Sequence, residues 1–320
     1  MKPGTPPNFA IALLGTLLLV GCAHTGSGDA DIESYRAESH REVAALVAQP
    51  TANNLAVAAL VSEIGDPDPR RSLELIERAE ALAPRSPEIL WLHLAMCARP
   101  NCDTKAQIAA RLQSIDPDNG FAWLPDLEQA ESSGGPEATT AVIARIGASR
   151  KMTFYWNQLE VMTVDALAVA APSQSLAVRG VAAVGRLAAL AIPPLLPLSK
   201  ACKFEQLELP GRRAACESMA ARMEESSTVL TQDLALSLEE RWSPAGSPER
   251  EIVRAKRRRL DYLITVSSHP SWWHKSGDMA LRIETARRSD REEDVELAVV
   301  KSLGLPAEPP PAWRDRLHPG

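Results

Sequence analysis

The residues best equipped for chemistry lie in "SSHPSWWHK", Ser267 to Lys275. His269 and His274 flank Trp272 and Trp273, with Asp278 close by. Two imidazoles and a carboxylate are ligands of the kind zinc takes, and two indoles offer flat faces for stacking on a sugar ring. The same composition suits a helix–helix junction, with the tryptophans plugging the core and the histidines at its wet edge. That plainer reading is the expectation here. His269 and His274 therefore stand only as candidate ligands, and no cofactor is expected. The common catalytic anchors G-x-S-x-G, H-E-x-x-H, G-x-G-x-x-G and G-x-x-x-x-G-K-[ST] do not occur, so no catalytic residue is assigned.

A second group with possible chemistry is the cysteines. Cys97, Cys102, Cys202 and Cys216 fall in two close pairs. "CARPNCD" has the wrong spacing for a C-x2-C zinc knuckle, and no second such pair follows. Three pairings are open to four cysteines. Proximity favours Cys97–Cys102 with Cys202–Cys216 as staples in an oxidising compartment.

A third feature is cationic. "REIVRAKRRRLDYLITV" holds Arg250, Arg254, Lys256, Arg257, Arg258 and Arg259. On a helix, Ile252, Val253, Leu260, Leu263 and Ile264 form the apolar side and the cations wrap the rest. Such a strip can face anionic headgroups or an acidic partner. Acidic neighbours such as Glu239, Glu240, Glu249 and Glu251 make a solvated helical face the expected outcome. The chain as a whole carries a net charge of −6 and a pI near 5.6. That balance argues against nucleic acid as a partner, because phosphate binding wants a basic face.

The fifth cysteine, Cys22, is placed differently. Lys2 and the free amine form a thin positive region, Phe9 to Val20 is an apolar run, and a small, polar stretch follows Cys22. A run of that length suits a signal-peptide core and falls short of the roughly 20 residues that span a bilayer. Leu19-Val20-Gly21-Cys22 resembles the bacterial lipobox, in which the cysteine is lipidated and the chain is cut just before it. The n-region departs from that pattern in having one lysine followed by Pro3, Pro6 and Pro7. The resemblance implies a removable leader over 1–21 and a membrane anchor at Cys22. A lipoprotein cysteine carries several acyl chains, and each buried methylene contributes about 0.8 kcal/mol. Ala23 in place of an aspartate implies the outer membrane, periplasmic face, and residues 22–31 serve as a tether.

Of the 320 residues, those beyond the leader are enough for one large or two ordinary domains. Almost nothing in them alternates with period two. Aromatics are only 4%, and Ala, Leu, Glu and Arg dominate, all good helix formers. The expected fold class is all-α. In "GDPDPRRSLELIERAEALAP", Asp68-Pro69 opens a helix, Leu73, Ile76, Ala79 and Leu82 line one face, and Pro84 ends it. Val181 to Ile192, interrupted by Arg186 and closed by Pro193, Pro194 and Pro197, reads as a buried helix and a proline turn rather than a membrane span. Further helices are expected near 211–223, 225–241, 248–266, 276–289 and 291–304.

The first half carries a degenerate repeat, in which Pro84 aligns with Pro117 and Trp91 with Trp123. A proline ending one helix and an aromatic opening the next, at a period near 34, resembles the tetratricopeptide (TPR) pattern. Ser72 and Ala79 sit where that family wants small residues, whereas Leu60 and His93 depart from it. The resemblance covers roughly residues 52–150 and implies helical hairpins for the stretch 32–150; the change of character beyond it gives a soft boundary near 150, a further helical domain with no identifiable repeat over 151–304 and a proline-rich tail over 305–320. The resemblance also implies a concave surface for a protein partner in the cell envelope, with Trp91 and Trp123 as candidate contacts. The expected function is a membrane-anchored, non-enzymatic scaffold. The alternative is a wall-active enzyme or carbohydrate binder using the His269–His274 region.

Overall fold

The computed structural model describes residues 28–65, 69–97, 102–190, 195–269 and 276–313. These residues form an all-helical protein, and no strand occurs among them. Helix α1, Gly28–Ala48, is exposed over 32–37 and joins the hydrophobic core at Val43 and Leu46. Helix α2, Ala52–Gly65, is buried from Asn54 through Glu63. Its sequence, "ANNLAVAALVSEIG", is apolar nearly all round, which is how a helix reads when neighbours surround it. Those neighbours are α1, α3 (Pro69–Leu82), α4 (Pro87–Met96), α8 (Trp156–Ala170) and α9 (Leu176–Ala189). A Cβ on Gly65 would stand 2.7 Å from the Cβ of Ser39, so glycine is what lets α1 and α2 approach.

Three helix pairs follow one another. The first is α2 with α3, and the second is α4 with α5 (Lys105–Ile115). In the third, a 3-10 turn, Gly120–Trp123, leads into α6 (Leu124–Gln129) and then α7 (Gly135–Gly147). Helix α3 is amphipathic, burying Ser72, Leu75, Ile76 and Ala79, whereas α4 buries everything from Ile89 to Met96. Ser86 caps α4 by accepting from the Ile89 N–H at 3.4 Å, and Pro87 occupies the first turn, where its missing N–H costs nothing.

An extended segment then crosses the molecule. Lys151 bridges Asn119, and the Ser227 N–H donates to Met152 O at 2.9 Å. Tyr155 ends the segment in the left-handed region, φ 56°, where a non-glycine residue is strained unless its surroundings hold it. They do: Tyr155 donates its hydroxyl to Asp116 and accepts from Asn119 Nδ2 at 3.1 Å.

After α8 and α9 come α10 (Leu196–Ala201), α11 (Arg212–Glu224), α12 (Val229–Trp242), α13 (Pro248–Ser267), α14 (Ser276–Arg288) and α15 (Glu292–Ser302). Helix α9 buries Arg186 rather than presenting an uninterrupted apolar rod. Among the described residues no helix is long and apolar enough to cross a membrane. Helix α11 packs on α7, α12 on α11, α13 on α12, α15 on α13, α14 on α15, and α14 returns to α8 and α9. One hydrophobic cluster includes Val43, Leu60, Trp91, Phe154, Leu198, Cys216 and Leu238, so the core runs across residue 150 without a break. At the α7–α11 crossing, a Cβ on Gly147 would lie 2.8 Å from the Met219 amide nitrogen. Any larger residue there pushes the two helices apart.

Both disulfides are formed. Cys97–Cys102 spans the α4–α5 turn with Cα atoms 5.2 Å apart. Cys202–Cys216 joins the end of α10 to α11 at 5.7 Å with a sequence separation of 14. A loop of about 15 residues is worth about 3 kcal/mol in the chain-entropy account. Replacing Cys202 and Cys216 together by alanine is therefore expected to lower stability by about 3 kcal/mol, read as a shift in the urea unfolding midpoint of the oxidised protein. No shift would mean that the close packing of α7 on α11 already holds this loop.

Candidate functional site

Trp91, expected to face a partner, is instead 3% exposed. Its ring stacks on Phe154 with centroids 4.9 Å apart, and Phe154 stacks on Phe121 at 3.9 Å. The correction has a simple cause. "PEILWLHLAM" has no polar face, so every side of α4 is covered and an indole on it belongs to the core. Trp123 is half-buried. Its Nε1 donates to Pro117 O at 3.4 Å, and the Arg145 guanidinium lies 4.3 Å from its ring centre. The two tryptophans thus share no groove.

His269 is exposed just past the end of α13, and Asp278 is half-buried on α14. His274, Trp272 and Trp273 lie outside the described residues, as does Cys22. Among the described residues, no group of three or more His, Cys, Asp or Glu is placed to hold a metal.

The basic strip on α13 is consumed within the protein. Arg257 pairs with Glu240 at 2.5 Å and Asp233 at 3.2 Å, and Arg254 with Glu240 at 2.9 Å and Glu251 at 3.1 Å. Arg250 lies 3.7 Å from Glu240, Lys256 pairs with Glu224, and Arg259 bridges Glu293 at 2.5 Å and Glu308 at 3.1 Å. Arg258 donates to the carbonyls of Pro310, Pro311 and Trp313 at 2.9, 3.1 and 3.0 Å. The proline-rich tail is accordingly docked as far as Trp313. That indole meets Tyr262 edge-on at 5.0 Å and donates to Asp261 at 3.1 Å.

Two buried polar groups arise that no motif announces. The first joins three consecutive helices. His93 on α4 and Glu80 on α3 are hydrogen-bonded at 2.7 Å, and Arg111 on α5 pairs with the same carboxyl group. Burial holds the His93 imidazole below its usual range, partly countered by the charge of Glu77. A carboxylate can only accept, so Nδ1 carries the proton. Nε2 is left buried without a hydrogen-bond partner. A histidine oriented by a carboxylate is half of a nucleophile-activating arrangement. Here its free nitrogen meets no hydroxyl or thiol and no open space, since the residue is 3% exposed. Its role is to tie the second helix pair to the first, and it stands where the repeat pattern would have a small residue.

The second group lies where α8, α14, α15 and the start of α12 meet. Arg282 forks onto Glu160 at 2.7 and 3.1 Å and reaches Glu296 at 2.8 Å. Glu160 is wholly buried, and Arg282 and Glu296 nearly so. Burial works against the guanidinium charge, but Glu160 and Glu296 together keep Arg282 firmly protonated. Glu292 completes the group, accepting from the Val229 N–H at 2.9 Å. The Glu292 residue keeps some exposed surface while its carboxyl end is enclosed. Enclosure, then the charge of Glu296, push its pKa up to about 8, with the Val229 N–H and Arg282 pulling the other way.

A shallow surface groove of about 540 Å³ runs between α7 and α11, floored by small residues such as Ala141, Ala144 and Ala214 and edged by Glu137. Its lining contains no imidazole, thiol or paired carboxylate. Comparison with protein-family models, curated proteins and solved structures returns no match.

Proposed function

We propose that this chain is a lipid-anchored scaffold of the cell envelope, held at Cys22 and offering the outer faces of TPR-like helix pairs to a protein partner. The arrangement of the first half supports this reading. First helices begin at Ala52 and Pro87, and the third pair opens with the 3-10 turn at Gly120, close to the spacing of a helical-hairpin repeat. The second helices α3, α5 and α7 keep exposed residues on their outer faces, which leaves a surface for binding. The imidazole and carboxylates with perturbed environments work between helices of the fold rather than in an open cleft, which is where a catalytic group would need to sit.

Crosslinking in living cells, followed by identification of what is joined to the chain, tests the scaffold. A specific envelope protein is the expected product, and its yield should fall when exposed residues of α3, α5 and α7 are exchanged for bulky charged ones. Recovery of the chain alone would remove the reading. Labelled palmitate appearing on the wild-type chain but not on the Cys22→Ser variant tests the anchor separately.

A further inference from the structure

We infer that Leu196, Lys200, Lys203 and Phe204 form a second membrane contact, which lays the body of the protein onto an anionic bilayer surface; the inference rests on the envelope location proposed above. Helix α10 buries Leu198 and Ala201, followed by Cys202, and so turns Leu196 and Lys200, one helical turn apart, to the outside. Lys203 and Phe204 follow in the next turn. Leu196 is 46% and Phe204 55% exposed, and both lysines are exposed.

The platform beneath them is rigid. The Cys202–Cys216 disulfide staples it, Arg212 donates to Ala201 O at 2.7 Å, and the Trp242 Nε1–H donates to Cys202 O at 3.0 Å. An outward phenylalanine on such a pinned turn is held out of the core by the backbone rather than by fraying. Large apolar side chains with adjacent lysines match the boundary between acyl chains and headgroups: the rings and branched chains enter, and the ammonium groups stay with phosphate.

The patch is distinguished by charge and apolar surface together. The cations of α13 are all engaged, whereas Lys200 and Lys203 have no ion pair among the described residues and stand beside the exposed Leu196 and Phe204. Glu205 and Glu208 are exposed nearby, and Glu208 is taken by Arg213 at 3.5 Å. An acidic protein would satisfy the lysines but would not need both apolar side chains at the rim, so the bilayer is the better match. The contact also meets a mechanical need. The stretch between Cys22 and Gly28, fully extended, reaches only about 20 Å. That length keeps the body near the surface without setting its orientation, which a second point of contact supplies.

The test uses the chain from residue 22 onward carrying Cys22→Ser, so that neither attached lipid nor the apolar run Phe9–Val20 plays a part, in sedimentation with vesicles rich in phosphatidylglycerol or made of phosphatidylcholine alone. Each lysine near an anionic surface contributes roughly fivefold in affinity, so K200Q/K203Q is expected to weaken binding to the anionic vesicles about 25-fold. Binding should also fall as salt rises. Phe204→Ser should weaken binding to the same vesicles with the lysines in place. All four residues are exposed, and an unchanged circular dichroism spectrum will show that the variants fold. Equal sedimentation of parent and K200Q/K203Q would overturn the inference. So would loss of a crosslinked protein partner from the lysine variant while vesicle binding stays intact. Because the chain lacks the acylated sulfur, failure here leaves the palmitate result untouched, and the reverse also holds.

Discussion

Exchanging Arg282 for methionine should destabilise the protein by about 3–5 kcal/mol, the range for removing one partner of a buried ion pair. The guanidinium serves three carboxylate oxygens at once, two on Glu160 and one on Glu296, from a site where little water reaches. Without it, two carboxylates stay buried with no cation. Methionine fills much of the volume, so the loss reports charge rather than a cavity. Lysine should rescue only part, because a point charge cannot fork onto Glu160 while reaching Glu296. The pairs join α8 to α14, far apart in the chain, so the damage should spread beyond the α14–α15 hairpin. Urea unfolding provides the measurement. A loss below about 1 kcal/mol would mean that the group is replaceable by ordinary apolar packing.

The second large effect is a loss of stability as pH rises. Glu292 has a folded-state pKa of about 8 against an ordinary 4.5. An acid with a raised folded pKa binds its proton more tightly in the native state. Its contribution is therefore complete below pH 4.5 and disappears as pH climbs through about 8. At about 1.4 kcal/mol for each pH unit, the interval corresponds to roughly 4–5 kcal/mol. The charges facing this carboxyl group are Glu296 from α15, Arg282 from α14 and Glu160 from α8, with the Val229 N–H from α12. Glu239 acts in the same direction, its pKa raised to about 7 by burial and by its hydrogen bond to Glu224, with Lys256 opposing. Glu292→Gln cannot ionise, so its stability should stay nearly level between about pH 6 and 9 and exceed that of the parent at the upper end, apart from the share due to Glu239. Thermal unfolding across that range decides the matter. A parent whose melting temperature is flat across it would show that the Glu292 carboxyl already ionises freely.

Helix boundaries were legible because their signals are local. The expected segments 211–223, 248–266, 276–289 and 291–304 correspond to Arg212–Glu224, Pro248–Ser267, Ser276–Arg288 and Glu292–Ser302. The one expected at 225–241 starts later, at Val229, because Ser226, Ser227 and Thr228 hydrogen-bond in a loop that meets the crossing segment. Three adjacent aromatics opening a helix cannot all face one way, and the structure buries Phe154 and Tyr155 while leaving Trp156 half-buried. Trp91 was misplaced although a signal existed: an all-apolar helix as short as α4 has no side to spare for a partner.

What the amino-acid order determined unaided is the helical class, the positions of most helix ends and the pairing of near cysteines. Capping, proline stops and a period of 3.6 are settled within a few residues of one another, and a short loop closes more readily than a long one. Tertiary structure alone decided that Glu160 would share Arg282 with Glu296, that Tyr155 would be held in a left-handed turn, that the cations of α13 would be spent on neighbouring helices, and that Lys200 and Lys203 would not. Each of these depends on which charges come to lie within a few ångströms, and Coulomb and desolvation energies are set by that distance and by exclusion of water rather than by order along the chain.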